Sequence, residues 1–384
     1  MRVSLIIILL LWAVGHVTAQ TTEPIPTATL LRPTLTPSPS APGVFVPTPT
    51  PLPTAIEVGQ TLPLPDLQPI TRENARNIRQ LFTLQCRRIG VQGAPPEIQD
   101  ITFSPVGNRL AIILPELICI YDLDAPEIAA VVIEDTWGDP SAAFFSVDGR
   151  SLYNLQARDD VFKWNATTGE EEATELEGVY LWGVWQNIAL SPEGTQLASG
   201  TRFWLQLWDM TSETLLAEAN VGRVTAVAWH PDGTRLATIE AGRLGLYTVY
   251  EGSLLFRDAL LPIMASDRHA GLAFGGADGN LLAYSNGNHV AVMDITSQDV
   301  VARVDINKTP FRQQVLVFSP ADPYLLVGTG ISTLWDVESD QGLIEDALEP
   351  CDGAMLMDHA AFNAQGTLLV LTDGDSIFVC GVPQ

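Results

Sequence analysis

Lysine is nearly absent: Lys163 and Lys308 are the only two in 384 residues, and 20 basic against 45 acidic residues leave a formal net charge of −25. A surface that negative repels phosphate backbones and anionic headgroups, which argues against nucleic-acid binding and electrostatic membrane docking. Catalytic signatures are missing as well. No HExxH, GxSxG, CxxC or phosphate-cradling glycine loop occurs. The histidines beyond the N-terminal leader, His230, His269, His289 and His359, are scattered along the chain without metal-ligand spacing. GGADGN at 275–280 and DGDS at 373–376 place Asp and Gly where the chain must reverse, so they read as turns rather than calcium loops. No cofactor or metal is expected. Past the leader no apolar run approaches the roughly 20 residues a membrane helix needs.

The leader itself, residues 1–19, has a basic start at Arg2, an apolar stretch from Leu5 to Val14 and a small-residue ending, Val17-Thr18-Ala19. That is the pattern of a secretory signal peptide. Its apolar stretch is short for a membrane span, and an uncleaved anchor is the alternative. Residues 20–70 are dominated by Pro, Thr and Ser, as in PTLTPSPSAPG, and should form an extended tether unable to bury a core. The folded domain is expected at 71–384.

Within it a phrase recurs. The residues Ser104, Ser146, Ser191, His230, Gly275, Ser319 and Asn363 follow one another at 42, 45, 39, 45, 44 and 44 residues, and each is followed six residues later by leucine: 110, 152, 197, 236, 281, 325 and 369. A bulky apolar residue precedes each anchor, and stretches such as FSPVGNRLA, LSPEGTQLA and WHPDGTRLA follow with Pro and Gly placed for a tight turn. A third strand closes on Tyr121, Trp164, Trp208, Tyr247, Met293, Trp335 and Cys380, with Asp122, Asn165, Asp209, Thr248, Asp294, Asp336 and Gly381 behind them. A further apolar or, at 170–177, acidic outer strand completes each unit. The period and the four-stranded unit predict an all-β fold, a seven-bladed β-propeller of antiparallel blades.

LQLWD at 205–209 and STLWD at 332–336, with the upstream SP-x-G turns, resemble the WD40-repeat family. The resemblance covers about residues 75–384. Only two units keep a Trp-Asp pair and none has the family's Gly-His dipeptide, so the repeats look like the divergent ones of bacterial propellers in the WD40/YVTN/TolB-like superfamily, with turns shared by TolB-like and peptidase-associated propellers. Such a resemblance implies a rigid binding platform.

After Cys380 too few residues remain for a fourth strand, and an unpaired edge invites aggregation. Ile78 to Gln85 (IRQLFTLQ) is therefore expected to pair with Ser376 to Cys380 and close the ring. Four cysteines in an exported chain allow three disulfide pairings. Cys86 and Cys351 both follow outer strands of neighbouring blades, so this pair is expected, with Cys119 and Cys380 as buried thiols.

Tyr180, Trp182 and Trp185 in VYLWGVWQN fall in a connection between blades, on the face that carries the loops between strands two and three. Trp137, Arg158, Arg202, Arg223 and Arg243 map to that face, and aromatics with Arg are enriched at binding hot spots. The expected protein is a secreted or surface-tethered, monomeric, non-enzymatic scaffold for a protein or cell-surface ligand. The competing reading is a propeller enzyme, a hydrolase or lyase with its site at the channel mouth.

Overall fold

Seven sheets follow one another along the chain in the computed structural model, which describes residues 64–86, 97–125, 130–134, 140–156, 161–179, 187–250, 253–262, 271–285, 289–305, 315–328, 333–339, 343–344, 351 and 358–384. The expected leader and most of the expected tether lie outside these. Blade 1 is built from Asp100–Phe103, Arg109–Leu114, Leu117–Asp122 and Val131–Glu134, and each later blade repeats the antiparallel order, innermost strand first. The innermost strand of blade 7, His359–Phe362, lies against that of blade 1 and closes the ring. Among the described residues no helix is long and apolar enough to cross a membrane.

The repeated phrase has a direct structural meaning. In six of the seven blades the anchor N–H donates to the carbonyl that ends the first turn, as in Ser146 to Ser151, Ser191 to Gln196 and His230 to Arg235 at 2.8–2.9 Å. Several anchor side chains also accept a turn N–H, Ser191 Oγ from Gln196 and Asn363 Oδ1 from Leu368 among them. The turn glycine takes a positive φ, near 70° at Gly149, Gly194 and Gly233, a conformation costly for any residue with a Cβ. At the same end of the blade the acidic or amide residue behind the third-strand aromatic caps the next turn. Asp209 Oδ1 accepts the N–H groups of Thr211 and Ser212 at 2.7 and 2.8 Å, and Asp294 and Asn165 do the same in their blades.

The core is seven interblade layers rather than one centre. The register pairs the bulky residue before the anchor with one leucine, and that leucine with the third-strand aromatic: Phe145, Leu152 and Trp164 in blade 2, Trp229, Leu236 and Tyr247 in blade 4. The leucine and the aromatic turn toward the preceding blade. Blades 5 and 6 correct the expected leucines. Phe274 pairs with Leu282 and Phe318 with Leu326, so Leu281 and Leu325 are displaced by one position. The turns GGADGN and SPADPY carry one extra residue, and a one-residue slip moves a side chain to the opposite face of a strand. Leu281 and Leu325 accordingly pack toward the following blade.

The ring is closed as expected and more extensively. Arg79–Leu84 pairs with the last strand, Ser376–Pro383, in a register that runs from Arg79 opposite Gly381 to Leu84 opposite Ile377. Leu67–Gln68 also pairs with that strand, opposite Pro383 and Val382, so the fold takes in residues before 71 that composition assigns to the tether. Between these strands Ser319 Oγ donates to the Ile70 carbonyl at 2.9 Å. Arg72 reaches blade 6, bonding Asp322 at 3.0 Å, Asp336 at 3.2 Å and Glu338. The N-terminal segment is thus laced across blades 6, 7 and 1.

The disulfide expectation is corrected. Cys86 is bonded to Cys119 and Cys351 to Cys380, with Cα separations of 5.9 and 6.0 Å, and no cysteine is free. Equivalent positions on neighbouring sheets are held apart by the packing distance of about 10 Å, beyond the roughly 7 Å a disulfide can bridge. The segment leaving one outer strand instead crosses onto the third strand of the next blade. The two bonds repeat that crossing and staple blade 7 to blade 1 on one side and to blade 6 on the other. Cys380 stands where the other blades carry Tyr, Trp or Met, so a covalent link replaces packing at that layer.

Outside the closure, Glu213 is the main polar tie between blades 2 and 3. Its carboxylate accepts from Tyr153 Oη at 2.8 Å, Lys163 Nζ at 3.0 Å, Thr174 Oγ1 at 2.8 Å and the Glu175 N–H. Burial alone would raise its pKa, but these donors together hold it down at about 2. A folded pKa below the unfolded one means the contribution is complete above about pH 4.5 and is lost as pH falls from there toward 2. Glu213→Gln is expected to cost about 2 kcal/mol at pH 7. The variant should also lose less stability than the parent between pH 4.5 and 2, which denaturant titrations across that range would check.

Candidate functional site

One face of the propeller carries the loops between second and third strands and the connections between blades. Of the expected face residues, Trp137, Arg158, Tyr180, Trp182 and Trp185 lie outside the described residues. Arg202, Arg223 and Arg243 are described, and they occupy three successive segments of this face. Arg202 is in the loop joining Gln196–Gly200 to Trp204–Asp209 of blade 3. Arg223 is in the connection to blade 4, and Arg243 opens that blade's third strand, Arg243–Tyr250.

Backbone bonds lock these segments together. Val221 N donates to Phe203 O at 3.0 Å, Val224 N to Thr201 O at 3.0 Å, and Ala241 N to Arg223 O at 2.9 Å. The Thr201 hydroxyl accepts the N–H groups of Phe203 and Trp204 at 3.1 and 2.9 Å and so shapes the first loop. Ala241 is held at φ 45°, a left-handed conformation that costs an alanine on the order of 1 kcal/mol. The three arginines therefore sit on a rigid surface.

Sequence reading missed the aromatics beside them. Phe203 is 54% exposed and Trp204 36%, and the Arg202 guanidinium lies 5.3 Å from the Phe203 ring centre. The signal was present in TRFWLQLWD, where two bulky aromatics adjoin an arginine in a loop. The match of LQLWD at 205–209 to the repeat begins just after Trp204, so it singles out neither aromatic. Beneath this island Glu240 is buried and accepts the Tyr247 hydroxyl at 3.0 and 3.1 Å; burial raises its pKa, while the Tyr247 bond and nearby Arg243 pull it down.

The central channel opens on the same face. Asp100 and His359 each begin an innermost strand, three residues before Phe103 and Phe362, and so hold the same register on adjacent blades 1 and 7. Asp100 accepts the Ile101 N–H at 2.8 Å and the Ala143 N–H of blade 2 at 3.1 Å, and burial pushes its carboxyl pKa up to about 7. His359 Nε2 meets the Ile98 carbonyl at 3.2 Å, and burial lowers its pKa, so the ring is neutral and donates there. Each side chain is thus tied to the backbone leading into or forming the next blade.

Elsewhere the sequence readings fall on structural roles. His230 is buried, packs edge-on against Phe274 at 5.0 Å and supports its turn through Nδ1, which accepts the Asp232 N–H at 3.1 Å. The residues of GGADGN and DGDS form turns between strands. Among the described residues no group of three or more His, Cys, Asp or Glu side chains is placed to hold a metal ion.

No family model matches the chain. By sequence it is similar to the U3 small nucleolar RNA-associated protein 4 homolog of Homo sapiens, 21% identical over 257 residues, which is 63% of this chain and 36% of the human protein. The chain therefore spans about a third of that relative's length.

Proposed function

We propose that this WD40-type propeller is a non-enzymatic binding scaffold whose partner protein docks on the arginine-rich face at blades 3 and 4. The observation that carries the reading is the island of Arg202, Phe203, Trp204, Arg223 and Arg243, rigid and partly apolar, on a chain of net charge −25. Aromatic and arginine side chains supply most of the energy at protein interfaces, and a prearranged surface loses little entropy on binding. The relative's name refers to an RNA. The acidic balance of this chain argues against carrying RNA association over.

The leader at residues 1–19 and the two disulfides support export to an oxidising compartment. The Pro/Thr-rich stretch then serves as a tether at the cell surface. The test uses chemical cross-linking on intact cells that express either the natural chain or Phe203→Ala/Trp204→Ala. The expected result is a cross-linked partner whose purified form binds the natural chain at least about 30-fold more tightly than the variant, the weight of a hot spot of 2 kcal/mol. Equal affinity for both chains, with unchanged melting of the variant, would overturn the assignment of this face.

A further inference from the structure

The innermost strands surround a channel of about 540 Å³, within the range of small-molecule sites. Its lining residues are mostly apolar, Phe103, Phe144, Leu190, Val227, Leu272 and Phe362 among them, while the wall exposes nearly as much polar as apolar surface. Asp100 is the one ionisable side chain among the described residues that line it. Its two hydrogen bonds come from backbone N–H groups, and no cationic side chain among the described residues pairs with it. His359, at the matching register of blade 7, is neutral and turned to the Ile98 carbonyl, so it supplies no countercharge.

Asp100 keeps part of its surface open to the channel, and a carboxylate held with little water and no positive partner either picks up a proton or acquires a cation. Asp100 stands at that balance, its pKa held at about 7 by burial. A metal ion would need several oxygen ligands converging on one point, and the described residues offer no such group. A single carboxylate among mostly apolar lining residues matches one ammonium group carried on an apolar body.

We propose that the channel is a binding site for an organic ammonium group, with Asp100 as its counter-ion and the apolar lining as the seat for its hydrocarbon part. The ammonium can belong to a free amine or to a lysine side chain of another protein. Both present the same chemistry to Asp100, and this site is separate from the arginine island.

The experiment is isothermal titration of the full, oxidised chain at pH 8 with three probes: cyclohexylmethylammonium, its neutral isostere cyclohexylmethanol, and the capped peptide acetyl-Gly-Lys-Gly-amide. The expected result is saturable binding of at least one ammonium probe, at least tenfold tighter than the alcohol and weakened at least tenfold in Asp100→Asn. Preference for the free amine or for the peptide identifies the source of the group. Equal binding of amine and alcohol, no binding of either ammonium probe, or binding unchanged in a folded Asp100→Asn would overturn the proposal. Should that variant fail to fold, the contrast between amine and alcohol in the natural chain decides alone.

Discussion

Removal of residues 64–86 is expected to abolish cooperative unfolding of the propeller. The segment supplies the partner strand for Ser376–Pro383 and buries side chains in two interblade layers, Ile70, Ala75 and Ile78 toward blade 6 and Phe82 and Leu84 toward blade 1. Four of these are large, and full burial of such a side chain is worth roughly 1.5–3 kcal/mol. Together they amount to something like 6–12 kcal/mol, comparable to the 5–15 kcal/mol that separates typical folded and unfolded states. The loss also strips one edge of the last sheet and leaves Asp322 and Asp336 without the Arg72 guanidinium. Calorimetry of the shortened chain should give a broad transition whose van't Hoff enthalpy falls well below the calorimetric one. A sharp transition at the melting temperature of the full chain would refute the closure.

Breaking both disulfides should produce the next largest effect. The bonds close chain separations of 33 and 29 residues, for which loop entropy gives about 3–4 kcal/mol each. For a domain of this size that corresponds to a fall in melting temperature on the order of 10 °C for the pair. Cys119→Ser and Cys380→Ser should each account for about half, since they act on opposite flanks of blade 7. Thermal unfolding with and without reductant measures the total. Peptide mapping without reduction should recover Cys86 joined to Cys119 and Cys351 joined to Cys380, and a Cys86–Cys351 peptide would contradict the structure.

The architecture was legible because local chemistry repeats. Ser, Pro and Gly at fixed offsets make the same turn in most blades, and an apolar residue opposite a leucine opposite an aromatic makes the same layer. Legibility failed where geometry between blades mattered. The extra residue in the turns of blades 5 and 6 leaves the apolar pattern intact, because two leucines stand side by side in GNLL and PYLL, and only the strand register tells Leu282 and Leu326 from their neighbours. The cysteines were matched by equivalent position, whereas contacts between radially arranged sheets join non-equivalent ones. At the face, the arginines could be placed from repeat position alone. The exposure of Phe203 and Trp204 could not, because it depends on how Thr201 folds its loop. Asp100 carried no signal in sequence: one acidic residue before a strand is ordinary, and its isolation depends on what six other blades bring to the channel wall.

The lacing of the N-terminal segment also sets how the molecule bears load. The chain enters beside the place where it ends, with Gln384 N bonded to the Asp66 carbonyl at 2.9 Å. Tension applied upstream of Leu64 falls first on that bond and the short Leu67–Gln68 pairing, then on the Arg72 contacts, and next on the strand Arg79–Leu84. Peeling stops at Cys86, whose bond to Cys119 transfers the force to the interior of blade 1. The propeller thus carries a mechanical stop, and a strained molecule can yield at its seam without the remaining blades being drawn out.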